Sequence, residues 1–207
     1  MFVTADAVAF WAERRSPGQY ETYWAAVAQP HRVALVRALH TFPKFTSLRE
    51  VGCSVGTNLQ LVRNSFPWVD LSGSDINVGA IAFGQDHLPD AEFSVGSIMD
   101  DSSTWLPRSF DIIISCYALA YVSPDDISTF VDRACVAAKL GLVFAEPFGN
   151  GESVRAVFPQ WHHNYQAVVA GAITRSGRKA RLRTGNISPT VDRCDGLITV
   201  LFEGETT

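Results

Sequence analysis

Glu50-Val51-Gly52-Cys53-Ser54-Val55-Gly56-Thr57-Asn58 is the stretch that decides the fold. The apolar run Ser47–Val51 before it reads as a strand, and Thr57–Ser65 after it reads as a helix stopped before Pro67. Gly52 and Gly56 let the backbone between them turn sharply and approach a ligand closely. The helix start behind them offers free N–H groups and a partial positive charge. The next apolar run, Val69–Ser74, ends in Asp75. A carboxylate placed there can take both ribose hydroxyls of a bound nucleoside.

Outward from this unit the chain keeps one rhythm. Val78–His87 reads as a helix, Ala91–Val95 as a third strand, and Phe110–Ser115 as a fourth, apolar on both faces as a central parallel strand requires. Pro124 with Asp125 and Asp126 opens a helix running to about Ala138, since proline suits the first turn and carboxylates the positive helix end. Gly141–Ala145 is a fifth strand. The alternation predicts a doubly wound, mostly parallel α/β sheet with helices on both faces. After Pro147 the rhythm weakens. Trp161–Ile173 reads as a helix, and Ala180–Ile187 with Leu197–Phe202 as an antiparallel hairpin at the sheet edge. The first 46 residues read as helices, over Asp6–Arg15, Tyr20–Gln29 and from Pro30 to about Pro43. The expected organisation is a helical cap or lid over 1–46 and a core over 47–207, one domain overall.

These motifs resemble, in order and spacing, those of the class I S-adenosylmethionine-dependent methyltransferases. The family's acidic-x-Gly-x-Gly-x-Gly motif meets Glu50-x-Gly52-x-Ser54-x-Gly56, with Ser54 in place of the middle glycine. The acidic residue ending strand two meets Asp75, and the apolar strand beginning Phe-Asp meets Phe110-Asp111-Ile112-Ile113-Ile114-Ser115. Gly96-Ser97-Ile98 matches the adenine motif in part, with Ser97 where an acid is common. The resemblance spans residues 31–147 and implies a Rossmann-like fold with S-adenosyl-L-methionine as cofactor. It further implies that Glu50 and Gly52 line the methionine end, that Gly52, Cys53 and Gly56 supply backbone contact, and that Ser54 and Asn58 belong to the same cofactor site. Asp75 would hold the ribose, Ile76 an adenine face and Ser97 and Ile98 the adenine edge, while Ser115 would face the sulfonium.

Other chemistries share some of these residues. Gly52-x-Ser54-x-Gly56 is literally the nucleophile elbow of α/β serine hydrolases, with Ser54 as nucleophile and His162 or His163 as base. That reading leaves Asp75 idle and lacks an upstream oxyanion loop. A nicotinamide site would need glycine at positions 54 and 57, where Ser54 and Thr57 stand. A third possibility is a binder that keeps the cofactor site without catalysis, for a regulatory or partner-binding role.

Methyl transfer from a sulfonium releases a neutral leaving group, so holding donor and acceptor in line supplies much of the rate. A base is required only if the acceptor must lose a proton. Trp161-His162-His163-Asn164-Tyr165 is the polar-aromatic cluster that could supply one, with His163 or His162 as candidate and a surface histidine pair as the plainer reading. Tyr20, Tyr23 and Trp24 suit either a lid over the cofactor or a packing helix. The basic run Arg175, Arg178, Lys179, Arg181, Arg183 suits either a solvated face or a receptor for an anionic acceptor. Strand four ends in Ser115-Cys116-Tyr117, unlike DNA-amino methylating enzymes, and no magnesium ligand set is written.

Bulk properties agree with a small-molecule enzyme. The chain has 207 residues and a net charge of -4, which gives no long-range attraction for nucleic acid. Cys53, Cys116, Cys135 and Cys194 form no C-x-x-C pair, and scattered thiols suit a reducing, cytoplasmic setting. The first residues carry no secretory pattern, and no apolar stretch is long enough to span a bilayer.

Overall fold

A computed structural model of the chain describes residues 9–14, 16, 18–99, 105–149, 154–155, 160–190 and 193–204. Five strands carry the parallel part of the sheet: β1 (Ser47–Val51), β2 (Asp70–Asp75), β3 (Glu92–Val95), β4 (Phe110–Cys116) and β5 (Ala138–Pro147). The helices between and before them are α1 (Gln19–Ala25), α2 (Pro30–Leu39), α3 (Thr57–Ser65), α4 (Val78–His87) and α5 (Ile127–Ala137). After β5 come the two-residue strands β6 (Val154–Arg155) and β7 (Trp161–His162), then α6 (Tyr165–Ser176), β8 (Ala180–Thr190) and β9 (Arg193–Phe202). The main sheet runs β3-β2-β1-β4-β5-β9-β8. β9 pairs antiparallel with β5, and β8 with β9, so the hairpin takes the edge as the sequence predicts.

The centre of the sheet is apolar because both faces are covered. Ile112, Ile113 and Ile114 of β4 are all fully buried. Ile112 and Ile114 pack with Leu35 and Leu39 of α2 and Leu59 of α3, while Ile113 packs with Phe130 of α5, Phe144, and Tyr165 of α6. Strand order reverses direction between β1 and β4, and the crevice at their carboxyl ends is where such sheets receive ligands.

Several boundaries differ from the sequence reading. The helix expected over Trp161–Ile173 begins at Tyr165, where the Asn164 side chain caps it by accepting from Ala167 N at 3.1 Å; Trp161 and His162 instead pair with Arg155 and Val154. It continues to Ser176 and stops at Gly177, whose φ of 67° is left-handed. α5 starts at Ile127 rather than Pro124, because Ser123 and Asp126 close a turn on each other first. α1 ends at Ala25 rather than Gln29, leaving Pro30 to open α2 in the position that needs no N–H. β5, β8 and β9 outrun their predicted spans, each lengthened by pairing with its neighbour. Of the helix expected over Asp6–Arg15, residues 9–12 are helical, and both of its predicted ends lie outside the described residues.

Asp111 ties the first strand to the fourth. Its Oδ2 accepts from Thr46 N at 2.6 Å, Thr46 Oγ1 at 3.0 Å and Ser47 N at 3.2 Å, and its own N–H donates to Ser47 Oγ at 2.9 Å. Removing the carboxylate strands three donors in a site only 6% exposed. Asp111→Ala should therefore cost about 1–3 kcal/mol of stability, and Asp111→Asn less, because the amide keeps one oxygen. Urea denaturation of the three proteins measures both.

Candidate functional site

At the carboxyl ends of β1, β2 and β4 lies a cavity of about 640 Å³. Its floor is the turn between β1 and α3. Within this turn Gly52, Ser54 and Gly56 all take left-handed φ values, 69°, 49° and 80°. Packing imposes both glycines: a Cβ on Gly52 would coincide with that of Ala118, and one on Gly56 would lie 2.7 Å from the Phe93 ring. The turn is fastened to β2. Gly52 N and Cys53 N donate to Ser74 O at 2.8 and 3.0 Å, and Ser54 N donates to Asp75 Oδ2 at 2.8 Å.

Asp75 lines the cavity. Its other oxygen accepts from Asn77 N at 2.9 Å. Burial raises its carboxyl above the usual range, while the N–H groups of Asn77 and Ser54 pull the other way. Asn77 next to it joins the floor to the N-terminal segment. Its Oδ1 accepts from Ala80 N and from the Tyr20 hydroxyl, and its Nδ2 donates to the carbonyls of Trp11 and Arg14. Tyr20, Tyr23 and Trp11 thereby form a wall of the cavity. Trp24 does not join them; it packs its ring against Phe83 and His87.

A buried polar chain runs behind the turn. Glu50 is fully buried, and its Oε1 accepts from Asn58 Nδ2 at 2.5 Å. Asn58 Oδ1 accepts in turn from Arg32 Nη1 at 2.9 Å, and Arg32 lines the cavity. Among the described residues Glu50 Oε2 and Arg32 Nε, both buried, have no partner. Burial pushes the Glu50 carboxyl up to about 8, although Asn58 and Arg32 oppose the shift.

Of the sequence candidates, Gly52, Ser54, Asp75, Ile76, Ser97 and Ile98 line the cavity together. Glu50, Cys53, Gly56 and Asn58 lie beneath or behind the turn, buried. Ser115 is turned the other way: its hydroxyl donates at 2.8 Å to Glu146, a fully buried carboxylate on β5 that burial pushes up to about 7. His163 is fully buried, with its Nε2 at 3.0 Å from Val122 O, and burial lowers it to about 4, so its ring is neutral at pH 7. His162 sits half-buried in β7. Neither histidine is part of the cavity wall described above, and Ser54 meets Asp75 there. The basic run is likewise elsewhere. Arg175 pairs with Asp132, Arg181 pairs with Glu203, and Arg178 donates to the carbonyls of Cys135, Ala138 and Lys139.

The sequence reading did not place Arg32, His31, Tyr117, Tyr121 or Gln160 at the site. The His31 and Tyr117 rings pack at a tilt of 53° with centroids 4.6 Å apart, and Gln160 Nε2 donates to the Tyr121 hydroxyl at 2.7 Å, all on the cavity wall. No local pattern marks them, because topology brings them together from three separate segments.

A family model described as a methyltransferase domain matches residues 49–141. A trans-aconitate 2-methyltransferase of Variovorax paradoxus is 23% identical over 163 residues, which are 69% of this chain and 62% of that protein. The chain thus spans less than two thirds of that relative's length. Among solved structures, the magnesium protoporphyrin IX methyltransferase of Synechocystis, solved with bound S-adenosylmethionine, superposes with a TM-score of 0.66 at 15% identity, covering 97% of this chain and 98% of that one. An S-adenosylmethionine-dependent methyltransferase from Leishmania major gives 0.73 at 11% identity, covering 97% and 83%.

Ser54 is a non-glycine residue held left-handed, a conformation costing about 1–2 kcal/mol relative to glycine. Glycine's larger unfolded-state entropy offsets about 0.5–1 kcal/mol of that. Ser54→Gly should leave stability unchanged or raise it by up to about 1 kcal/mol, and Ser54→Ala should bind S-adenosylhomocysteine within about threefold of wild type. Thermal melts and calorimetric titration give both numbers. Ester hydrolysis by the wild type that vanishes in Ser54→Ala would instead establish the nucleophile reading.

Proposed function

We propose that the chain is a class I S-adenosylmethionine-dependent methyltransferase and transfers the cofactor's methyl group to a small-molecule acceptor, a reading supported by the methyltransferase-domain match over residues 49–141 and by the similar proteins above. The carrying observation is the joining of Asp75 to the turn at the floor of the cavity, in which Gly52, Ser54 and Gly56 are left-handed. The residues suit the cofactor. The glycine turn brings the main chain close to the cavity with no side chain at Gly52, Asp75 presents a carboxylate at the ribose position, and Ile76, Ser97 and Ile98 supply a slot for adenine. Two orphaned buried atoms suit its amino-acid end: Glu50 Oε2 for an ammonium and Arg32 Nε for a carboxylate.

When bound, the cofactor supplies an electrophilic methyl on a sulfonium whose departure leaves a neutral thioether. The chain's work is then alignment and exclusion of water. Tyr23, His31, Tyr117 and Tyr121 wall the remaining space with rings. The acceptor's chemistry follows from the donors around it. Trp11 Nε1 is buried without a partner among the described residues, and the Arg14 guanidinium lies 4.8 Å from the same ring. We read this as a site for a carboxylate-bearing acceptor, in keeping with the named substrate of the Variovorax relative. An ionised carboxylate oxygen needs no base, so the neutral, buried His163 has no proton to take. The N-terminal helices serve as a cap, held by Asn77. Transfer of radiolabelled methyl into a pool of small carboxylic acids tests the whole reading. Tight cofactor binding with no transfer to any pool would convert it into a binding-only role.

Asp75→Ala removes charge-assisted bonds worth about 1.5–3 kcal/mol each, so a net loss of about 2–4 kcal/mol, roughly thirtyfold to several-hundredfold in Kd, is expected for S-adenosylhomocysteine. The same carboxylate also holds the turn through Ser54 N and Asn77 N, so the variant should melt earlier as well, and Asp75→Asn should fall between. Calorimetry beside a thermal melt separates the two effects.

Glu50 makes binding pH-dependent. In the free protein its carboxyl stays protonated up to about pH 8, and a ligand ammonium beside it favours the ionised form. Binding then releases a proton, and affinity rises with pH until it levels above about 8. Titrations in buffers of different ionisation heat should detect that proton, and Glu50→Gln should abolish it.

A further inference from the structure

Resting on the proposed function, we infer that Glu146 is a positioning residue: its carboxylate fixes the loop after β4 that walls the homocysteine half of the cofactor site. Nothing in the sequence motifs points to it. It is fully buried near the end of β5, with β4 between it and the strand that leads into the glycine turn. Its Oε1 gathers three donors from the neighbouring strand's exit: Ser115 Oγ at 2.8 Å, Ala118 N at 3.2 Å and Leu119 N at 3.2 Å.

Those donors belong to a segment that would not hold its shape unaided. Tyr117 N extends the β4–β5 ladder by one bond to Ala145 O at 3.0 Å, and at the same residue the chain swings into a left-handed φ of 57°. A bulky residue with positive φ is strained and persists when its surroundings over-determine it. The carboxylate does this by taking the N–H groups of the two residues that follow. The result is functional geometry, because Cys116, Tyr117, Ala118, Tyr121 and Val122 all line the cavity. Ala118 is also the residue whose Cβ occupies the space a side chain at Gly52 would need. Glu146 thus acts on the ligand through the loop and touches neither reacting atom.

Tethering predicts a selective effect. The loop faces the methionine end, whereas Asp75, Ile76 and Ser97 hold the nucleoside. S-adenosylhomocysteine and 5′-methylthioadenosine share the nucleoside and differ in the amino-acid arm, so their affinities report the two halves separately. In Glu146→Ala, calorimetry should show S-adenosylhomocysteine bound about tenfold more weakly and methylthioadenosine within twofold of wild type. Glu146→Gln keeps an oxygen for the three donors and should restore binding to within threefold. A general loss of stability would weaken both ligands alike and would not be rescued selectively. Equal losses for the two ligands in Glu146→Ala, no loss for either, or a Glu146→Gln as impaired as Glu146→Ala each overturn the inference. If Glu146→Ala does not fold, Ser115→Ala removes one donor and should give a two- to threefold loss confined to S-adenosylhomocysteine; equal losses or none overturn the inference again. A wild type that binds neither ligand defeats the proposed function itself, and the Glu146 assignment with it.

Discussion

The structure depends on the closure of the glycine turn against the second strand. A main chain that takes left-handed conformations at Gly52, Ser54 and Gly56 has no regular ladder to keep it in place. Here the end of β2 substitutes for one. Ser74 O accepts from Gly52 N and Cys53 N, and the Asp75 carboxylate accepts from Ser54 N. The same carboxylate turns its other oxygen to Asn77, whose side chain then caps α4 and gathers the N-terminal segment. One strand end therefore organises the floor, the next helix and the wall above, and the cavity follows from where those three meet.

Much of this was written locally and could be read from the sequence. The turn, Asp75 and the doubly buried β4 each depend on a few adjacent residues, and each stands where the sequence predicts. What escaped reading depends on distance along the chain. Arg32 meets Asn58 because α2 packs across α3, and Ser115 faces Glu146 because β4 and β5 are neighbours; neither pairing leaves a periodic trace. The orientation of His163 escaped reading for a different reason. A histidine beside aromatics carries the same letters whether it faces a ligand or a carbonyl, and here it faces Val122 O. The short β6–β7 ladder displaced the expected helix start at Trp161, since two strand residues are too few to show alternation.

Two buried carboxylates flank the site, and their environments differ. Glu146 is surrounded by donors on one oxygen, so its burial is offset within the protein itself. Glu50 has one amide partner on one oxygen, and the second oxygen of each carboxylate has none among the described residues. Burial dominates both and pushes each carboxyl well above the usual range. A group left short of partners in the free protein is the one with most to gain from a cationic ligand, which is why the two carboxylates receive different roles here.

The basic run that resembled an anion receptor has a different bearing on the protein's life in solution. β8 is the outermost strand of the sheet and eleven residues long, which leaves a row of backbone groups open to a second chain. Lys179 precedes that strand, Arg181 and Arg183 project from it, and all three are exposed. Pro189, within the same strand, carries no N–H for a neighbour to receive. Like charges along an open edge, with an interruption near its end, oppose edge-to-edge association between copies. The opposite edge needs less protection, since β3 offers only four residues. Substituting Lys179 and Arg183 with β-branched apolar residues would remove charge from this edge and leave it a better template for stacking.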